Sequence, residues 1–222
     1  DLTPAEWEVL LWTALYHDLG KGLKGDHSNE GAAIVKSDLV AMGVSLKLTA
    51  QVSWMVQNHL LLSGAAFRQN PQSSGTWAEL FRRGVKGRRI PKLTIFTAID
   101  IRATNPEAWN DWKERLLFDL AEALQSPKAS RLSELLDLAQ LKKIVVAKDF
   151  VENLDPQVIE SVPKMVILKD YAALKKVKED LPPLVLRSRK NETWIRFHSR
   201  ADRPGLFLAF THQVHAAGLA VQ

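Results

Sequence analysis

A histidine and an aspartate, His17 and Asp18, stand side by side at the end of an apolar segment with helical spacing. Three further potential metal ligands, His27, His59 and Asp100, each lie on or next to the apolar stripe of a predicted helix. A buried imidazole or carboxylate costs free energy unless it is paired or binds a metal ion. The pattern therefore predicts a bundle of helices whose interior brings these groups together, and it favours a metal site.

The first predicted helix opens with the capping box at residues 3–6, which has proline at the first helical position. Its predicted core stripe is Trp7, Leu10, Leu11, Ala14 and Leu15. His17 and Asp18 continue this stripe, and Gly20 is predicted to end the helix. The loop that follows is too rich in glycine to be helical, so it can bring Lys21 close to an anionic ligand.

The other candidate ligands belong to three later helices. His27 stands at the entrance of a predicted helix over residues 28–42. The next helix starts near Ser45, and its stripe of Leu48, Val52 and Met55 runs on to His59. The helix that Pro91 opens carries Asp100 on the same side as Leu93 and Phe96.

The chain has no cysteine, so disulfides and thiolate ligands are excluded and a metal must take histidine and carboxylate ligands. Such ligands suit a hard or borderline divalent ion, and we expect Mg²⁺ or Mn²⁺. An ion of this kind activates water and neutralises a phosphate oxygen. Beside it, Lys21 is well placed to bind phosphate. No arrangement of a nucleophilic serine or cysteine competes with this reading.

Several classes of protein are disfavoured by composition. No window of the 222 residues approaches 18 uninterrupted apolar residues, so we expect no membrane span. The N-terminal segment does not resemble a signal peptide, and the composition fits a cytoplasmic protein. The net charge is only +5. The densest basic run is Arg82, Arg83, Lys86, Arg88 and Arg89. Glycines interrupt that run, which predicts a solvated loop and no specific nucleic-acid partner.

The sequence changes character near residue 145. Short apolar runs appear at residues 165–168, 184–186 and 194–197, and the last alternates with period two like a strand. Between the first two runs, residues 170–178 are predicted to form a short charged helix, and residues 206–217 an amphipathic one. The predicted fold class is α+β: a mostly helical domain over residues 1–145, then a linker and a partial α/β unit over residues 146–222.

The segment 17–22 together with Asp100 resembles the HD superfamily of metal-dependent phosphohydrolases. More narrowly, the segments 25–32, 58–63, 66–68 and 100–113 are similar to the HD domain of the bifunctional uridylyltransferase/uridylyl-removing enzyme family. Residues 202–206 resemble the opening of an ACT domain, which follows the HD domain in that family and has a ferredoxin-like fold. The fold implied is a helical HD domain followed by a truncated ferredoxin-like ACT unit.

The resemblance also implies an activity and roles for residues. The activity is removal of UMP from a tyrosine of the PII nitrogen-signalling protein, with glutamine sensed by the ACT region. The implied metal ligands are His17, Asp18 and Asp100, with His27 and His59 as ligands of a second ion. Lys21 would contact the phosphate and act in catalysis with His17 and Asp18. The implied effector-binding residues are Asp202, Gly205 and Leu206.

Three departures from that family matter: no histidine precedes His17, where HD domains have a further ligand, no nucleotidyltransferase domain is present, and the ACT portion is short. We therefore expect the chain to be a C-terminal fragment. Two alternatives stay open. One is a stand-alone HD phosphohydrolase that acts on a free nucleotide, and the other is a non-catalytic regulatory module that binds an amino acid.

Overall fold

The computed structural model of the protein describes residues 2–154, 156–175, 185–189 and 192–196, together with 211–212 and 215–216. The helices before residue 162 are α1 (Pro4–Tyr16), α2 (His27–Ala41), α3 (Leu46–Asn58), α4 (Leu61–Arg68), α5 (Ser74–Arg82), α6 (Arg89–Thr104), α7 (Asp111–Gln125), α8 (Pro127–Leu141), α9 (Lys148–Glu152) and α10 (Pro156–Ser161), with a 3-10 turn at Pro106–Ala108. The later elements are α11 (Lys164–Leu174), β1 (Val185–Arg189) and β2 (Glu192–Arg196). Among the helices of the described part, none is long and apolar enough to cross a membrane.

The chain divides into two compact units, Asp1–Val162 and Pro163–Gln222. All the secondary-structure elements described in the first unit are helices, and this unit contains every candidate metal ligand. The domain boundary that the sequence predicted near residue 145 stays a prediction.

Helices α2 and α3 form a closely packed antiparallel pair in the first unit. The Ser53 hydroxyl donates to the Ala32 carbonyl at 3.0 Å, and nearer the site the Gln57 amide donates to the Asn29 side-chain oxygen at 3.0 Å. Fully buried aliphatic side chains fill the space between the two helices, among them Val35, Leu39, Val52, Met55 and Val56. This pairing places the start of α2 beside the end of α3.

Helix α1 buries a different face from the one that its sequence predicts. Its buried residues are Glu6, Val9, Leu10, Thr13 and Tyr16. Trp7, Leu11 and Leu15, which were expected in the core, are 45–70% exposed. Of the predicted stripe, Leu10 alone is buried. The rest of the prediction was wrong because this helix is apolar on nearly all sides, so periodicity alone did not select the face.

The buried carboxylate of Glu6 joins α1 to the start of α6. Its two oxygens accept hydrogen bonds from Arg88 Nε at 2.8 Å and Arg88 Nη2 at 2.5 Å. The Thr3 amide and hydroxyl also donate to Glu6, each at 3.0 Å. Because His17 meets Asp100 near the other ends of the same helices, α1 and α6 run side by side in the same direction.

The basic run between α5 and α6 is not a free solvated loop. Arg82 donates to the Val146 carbonyl at 2.8 Å, and Lys86 forms an ion pair with Asp137. The Arg89 guanidinium lies 4.1 Å above the centre of the Trp54 ring. Like Arg88, these cations bind groups of the same chain and tether this connection to neighbouring helices.

The second unit contains one described helix and a pair of strands. The apolar run at residues 165–168, which the sequence set apart from a helix over 170–178, belongs to α11, where Val166, Ile167 and Leu168 are buried. Strands β1 and β2 pair antiparallel, with Val185 opposite Arg196. Most of the predicted helix over residues 206–217 lies outside the described residues, and the ACT-like unit stays a prediction.

The contacts of Glu6 predict a specific dependence of stability on acid. The hydrogen bonds from Arg88, then those from Thr3, hold the pKa of Glu6 well below its usual value of 4.5. The stabilisation that its ionised form provides is therefore complete above pH 4.5 and is lost as the pH falls below it. Urea unfolding between pH 7 and pH 3 should show wild type more stable than Glu6→Gln at neutral pH, with the difference shrinking below pH 4.5.

Glu8→Gln is the matched control for this comparison, because Glu8 is an exposed glutamate on the same helix. Its difference from wild type should be small at every pH. A stability difference for Glu6→Gln that stays constant down to pH 3 would contradict the assignment.

Candidate metal centre

His17 sits directly after the last residue of α1 and is oriented by that helix. Its backbone amide donates to the Thr13 carbonyl at 2.8 Å, and its ring Nδ1 donates to the Ala14 carbonyl at 2.9 Å. The last carbonyls of a helix have no partner inside the helix, so this contact satisfies one of them. It also fixes the ring so that Nε2 is turned towards the site.

His59 repeats this arrangement at the end of α3. Its Nδ1 donates to the Val56 carbonyl at 2.7 Å, again three residues back along the chain. The residue is only 2% exposed. Burial, with the neighbouring charges of His17 and His27 acting in the same direction, lowers the pKa of His59. The ring is therefore neutral near pH 7 and offers the lone pair of Nε2 to a metal.

The third imidazole, His27, is placed by contact between two backbones. A Cβ on Gly20 would lie 2.2 Å from the His27 carbonyl oxygen and 2.8 Å from the Gly31 nitrogen. Only glycine permits this approach, and Gly31 likewise lies against Val56 and the carbonyl of Tyr16. Gly20 thus does not cap α1, as its position in the sequence predicted, but lets the end of α1 pack on the start of α2.

The structure brings all five sequence-predicted ligands into two adjoining groups that share Asp18. In the first group, His17 Nε2 lies 3.2 Å from Asp18 Oδ2 and 3.3 Å from Asp100 Oδ1. In the second, one ligand atom from each of Asp18, His27 and His59 lies within 4.8 Å of the others. The His59 ring is 5.4 Å from both the His17 and His27 rings, measured between centroids.

The charges within the first group stabilise each other. The hydrogen bond with Asp100 is the largest cause that raises the pKa of His17, and burial opposes it. The same hydrogen bond is the main cause that lowers the pKa of Asp100. Thr104, one turn after Asp100 on α6, donates its hydroxyl to Asp100 Oδ1 at 3.4 Å. Sequence reasoning missed Thr104, although the spacing of four residues on a helix was a signal for it.

Lys21 lies on the solvent-exposed side of the centre. Its Nζ lies 2.7 Å from Asp18 Oδ2, and its side chain is 61% exposed. The hydrogen bond with Asp18 raises the pKa of Lys21. On the opposite, buried side, the Phe96 ring packs edge-on against His17 with centroids 5.4 Å apart.

The donor set fits a divalent metal ion. Ligand atoms about 2.0–2.2 Å from one ion are at most about 4.4 Å apart, so groups within 4.8 Å need only small rotations to bind it. Nitrogen and carboxylate oxygen donors without thiolates suit hard or borderline ions. The three residues predicted to bind an effector, Asp202, Gly205 and Leu206, lie outside the described residues.

Comparison with known families agrees with this geometry. Residues 2–101 match the family model described as the HD domain, and this segment includes all five ligands and Lys21. Residues 2–101, somewhat less than half of the chain, are thus similar to an HD domain. That fold is one of metal-dependent phosphohydrolases, as the resemblance of residues 17–22 and Asp100 implied.

The similar proteins share one name. The "Bifunctional uridylyltransferase/uridylyl-removing enzyme" of Vibrio atlanticus (strain LGP32) is 40% identical over 118 residues, which are 53% of this chain and 14% of that protein. Proteins of the same name from Novosphingobium aromaticivorans and Nitrosococcus oceani are 38% and 39% identical, and the match covers 13% of each. The chain thus spans about one seventh of the length of these curated relatives. No solved structure matches the chain significantly.

Replacement of glycine by alanine should change the free energy of unfolding in opposite directions at Gly20, which contacts His27, and at Gly64. Gly20→Ala would force a methyl group against backbone atoms that cannot move aside cheaply, so the free energy of unfolding should fall by about 3 kcal/mol. Mn²⁺ affinity should fall as well, because His27 and Asp18 would separate. Gly64→Ala, in α4, meets nothing within 4 Å and should raise the free energy of unfolding by about 0.5–1 kcal/mol.

Urea unfolding and Mn²⁺ titration of both variants check this prediction. Equal stability changes of the same sign at the two sites would show that the approach of α1 to α2 does not constrain the fold.

Proposed function

We propose that the protein hydrolyses a phosphodiester with the help of divalent metal ions, and that its substrate is the uridylylated PII signalling protein. The observation that carries the proposal is the group of candidate ligands Asp18, His27 and His59, which adjoins His17 and Asp100 within a segment matching the HD domain. The name of the similar proteins supports the finer assignment, since they are called uridylyl-removing enzymes and the matched residues include this centre.

Each residue has a role that its position supports. His17, Asp18 and Asp100 would hold one ion, and His27 and His59 would hold a second ion together with Asp18. The chemistry that divalent ions, Mg²⁺ or Mn²⁺, supply at such a centre is activation of water and neutralisation of charge on phosphate. The fixed rings of His17 and His59 hold their Nε2 atoms in place for those ions.

Lys21 would stabilise the negative charge that develops on the phosphate. It stands at the solvent side of Asp18 on an exposed side chain long enough to reach a bound substrate. We therefore assign catalytic roles to His17, Asp18 and Lys21.

The regulatory part of the proposal concerns the second unit. By its resemblance to an ACT domain, glutamine would bind there, with Asp202, Gly205 and Leu206 as contacts, and would couple hydrolysis to nitrogen status. Cytoplasmic localisation belongs to the same proposal.

The first test removes the shared ligand. Asp18→Asn should lower Mn²⁺ affinity at least about 100-fold, because even loss of a group that only orients a ligand costs 10–100-fold. Release of UMP from uridylylated PII should fall to background. Asp119→Asn, an exposed aspartate on α7, is the matched control and should leave both measurements unchanged. Hydrolysis by Asp18→Asn at the rate of the parent would refute the mechanism.

A second test separates binding of the ions from action on the phosphate. Lys21→Ala should retain Mn²⁺ and slow UMP release by about 10²- to 10³-fold, the scale for loss of one electrostatic stabiliser. The assay should include a panel of free nucleotides. Turnover of free nucleotides without action on PII would favour a stand-alone nucleotide phosphohydrolase, and glutamine binding without any hydrolysis would favour a regulatory module.

A further inference from the structure

We propose that Lys21 is an internal counter-cation of Asp18, which leaves that carboxylate when a divalent ion binds and so becomes free to meet the phosphate. The inference rests on the proposed function, since it assigns Asp18 to a metal. It adds a step that precedes catalysis: the ion has to displace a cation that the chain itself provides.

The side chains of Lys21 and His17 both lie close to the same oxygen of Asp18. Asp18 Oδ2 lies 2.7 Å from Lys21 Nζ and 3.2 Å from His17 Nε2. Asp18 also belongs to the group of candidate ligands Asp18, His27 and His59, so an ion held there would take an oxygen of this carboxylate. An ammonium and a divalent ion on the same carboxylate repel each other strongly at such distances. Lys21 therefore competes with the metal for Asp18.

The loop allows the side chain to move while the backbone stays. The Lys21 amide donates to the Asp18 carbonyl at 2.9 Å, which closes a turn between the two residues. Gly20, before it, is held against the start of α2. The Lys21 side chain itself is 61% exposed and ends in a flexible four-carbon stem, so rotation about its own bonds suffices to leave Asp18.

The arrangement has two consequences for the metal-free protein. Lys21 offsets the charge of a carboxylate that lies close to the second carboxylate, Asp100, through their common neighbour His17. Without Lys21 the metal-free centre is less stable, and the same loss makes Asp18 more available to a metal. Removal of the ammonium should thus lower stability without metal and raise affinity for metal, two effects of opposite sign from one contact.

The experiment titrates Mn²⁺ alone into wild type, Lys21→Met, Lys21→Arg and Lys24→Met, with free Mn²⁺ followed by electron paramagnetic resonance. Methionine keeps an unbranched side chain without the charge. Lys24 is the matched control, since it is an exposed lysine of the same loop with no ion pair among the described residues. Its variant measures the general effect of removing one positive charge nearby.

Lys21→Met should bind Mn²⁺ about 2- to 5-fold more tightly than Lys24→Met, the scale of one exposed ion pair. Lys21→Arg, which keeps a cation, should bind like wild type. Without metal, Lys21→Met should also melt at a lower temperature than Lys24→Met, and saturating Mn²⁺ should remove this difference.

Affinity of Lys21→Met equal to that of Lys24→Met, or weaker, would overturn the proposal. Weaker binding would mean that Lys21 orients Asp18 for the metal instead of competing with it. Failure of the proposed function alone is distinguishable: wild type would then bind Mn²⁺ with the predicted Lys21 effect but release no UMP from uridylylated PII. A wild type that binds no Mn²⁺ would overturn both proposals.

Discussion

The contact of the Gly20 backbone with the His27 carbonyl is the constraint on which the centre depends. A single methyl group at Gly20 would lie 2.2 Å from that oxygen. With glycine in place, the residues that follow α1 can pack on the start of α2, so that Asp18 and His27 face the same space. The antiparallel pairing of α2 and α3 then adds His59, and the parallel course of α1 and α6 adds Asp100. Four helices thus contribute candidate ligands from their ends or last turns.

Placement at helix ends also solves the problem of orienting an imidazole. His17 and His59 each donate Nδ1 to the carbonyl three residues earlier, Ala14 and Val56 respectively. Such carbonyls lack partners within the helix and need a donor in any case. The backbone therefore selects the tautomer and aims Nε2 at the site without a further carboxylate or amide. Asp100 lies within the last turns of α6 instead, and there a side chain, Thr104, provides the orienting contact.

The sequence predicted which candidate ligands come together more reliably than it predicted the helix faces around them. His59 was predictable because Leu48, Val52 and Met55 form a one-sided stripe that leads to it. Helix α1 was assigned the wrong face because its apolar residues surround it, and the buried Glu6 is held by Arg88, 82 residues later. The basic run was misread for the same reason, since its partners, such as Asp137 and Val146, are distant in sequence. Local periodicity carries no information about such partners.

The exposure of the ligands gives the centre a closed and an open side. His59 is buried at 2% exposure against Phe96, whereas the side chain of Asp18 is 38% exposed and that of Lys21 61%. The burial of His59 lowers the pKa of its ring and so favours the neutral imidazole. The Asp18 carboxylate is thus open to solvent on the side where Lys21 stands. Under the proposed function, the residue that neutralises Asp18 would also be a cation that an approaching phosphate meets.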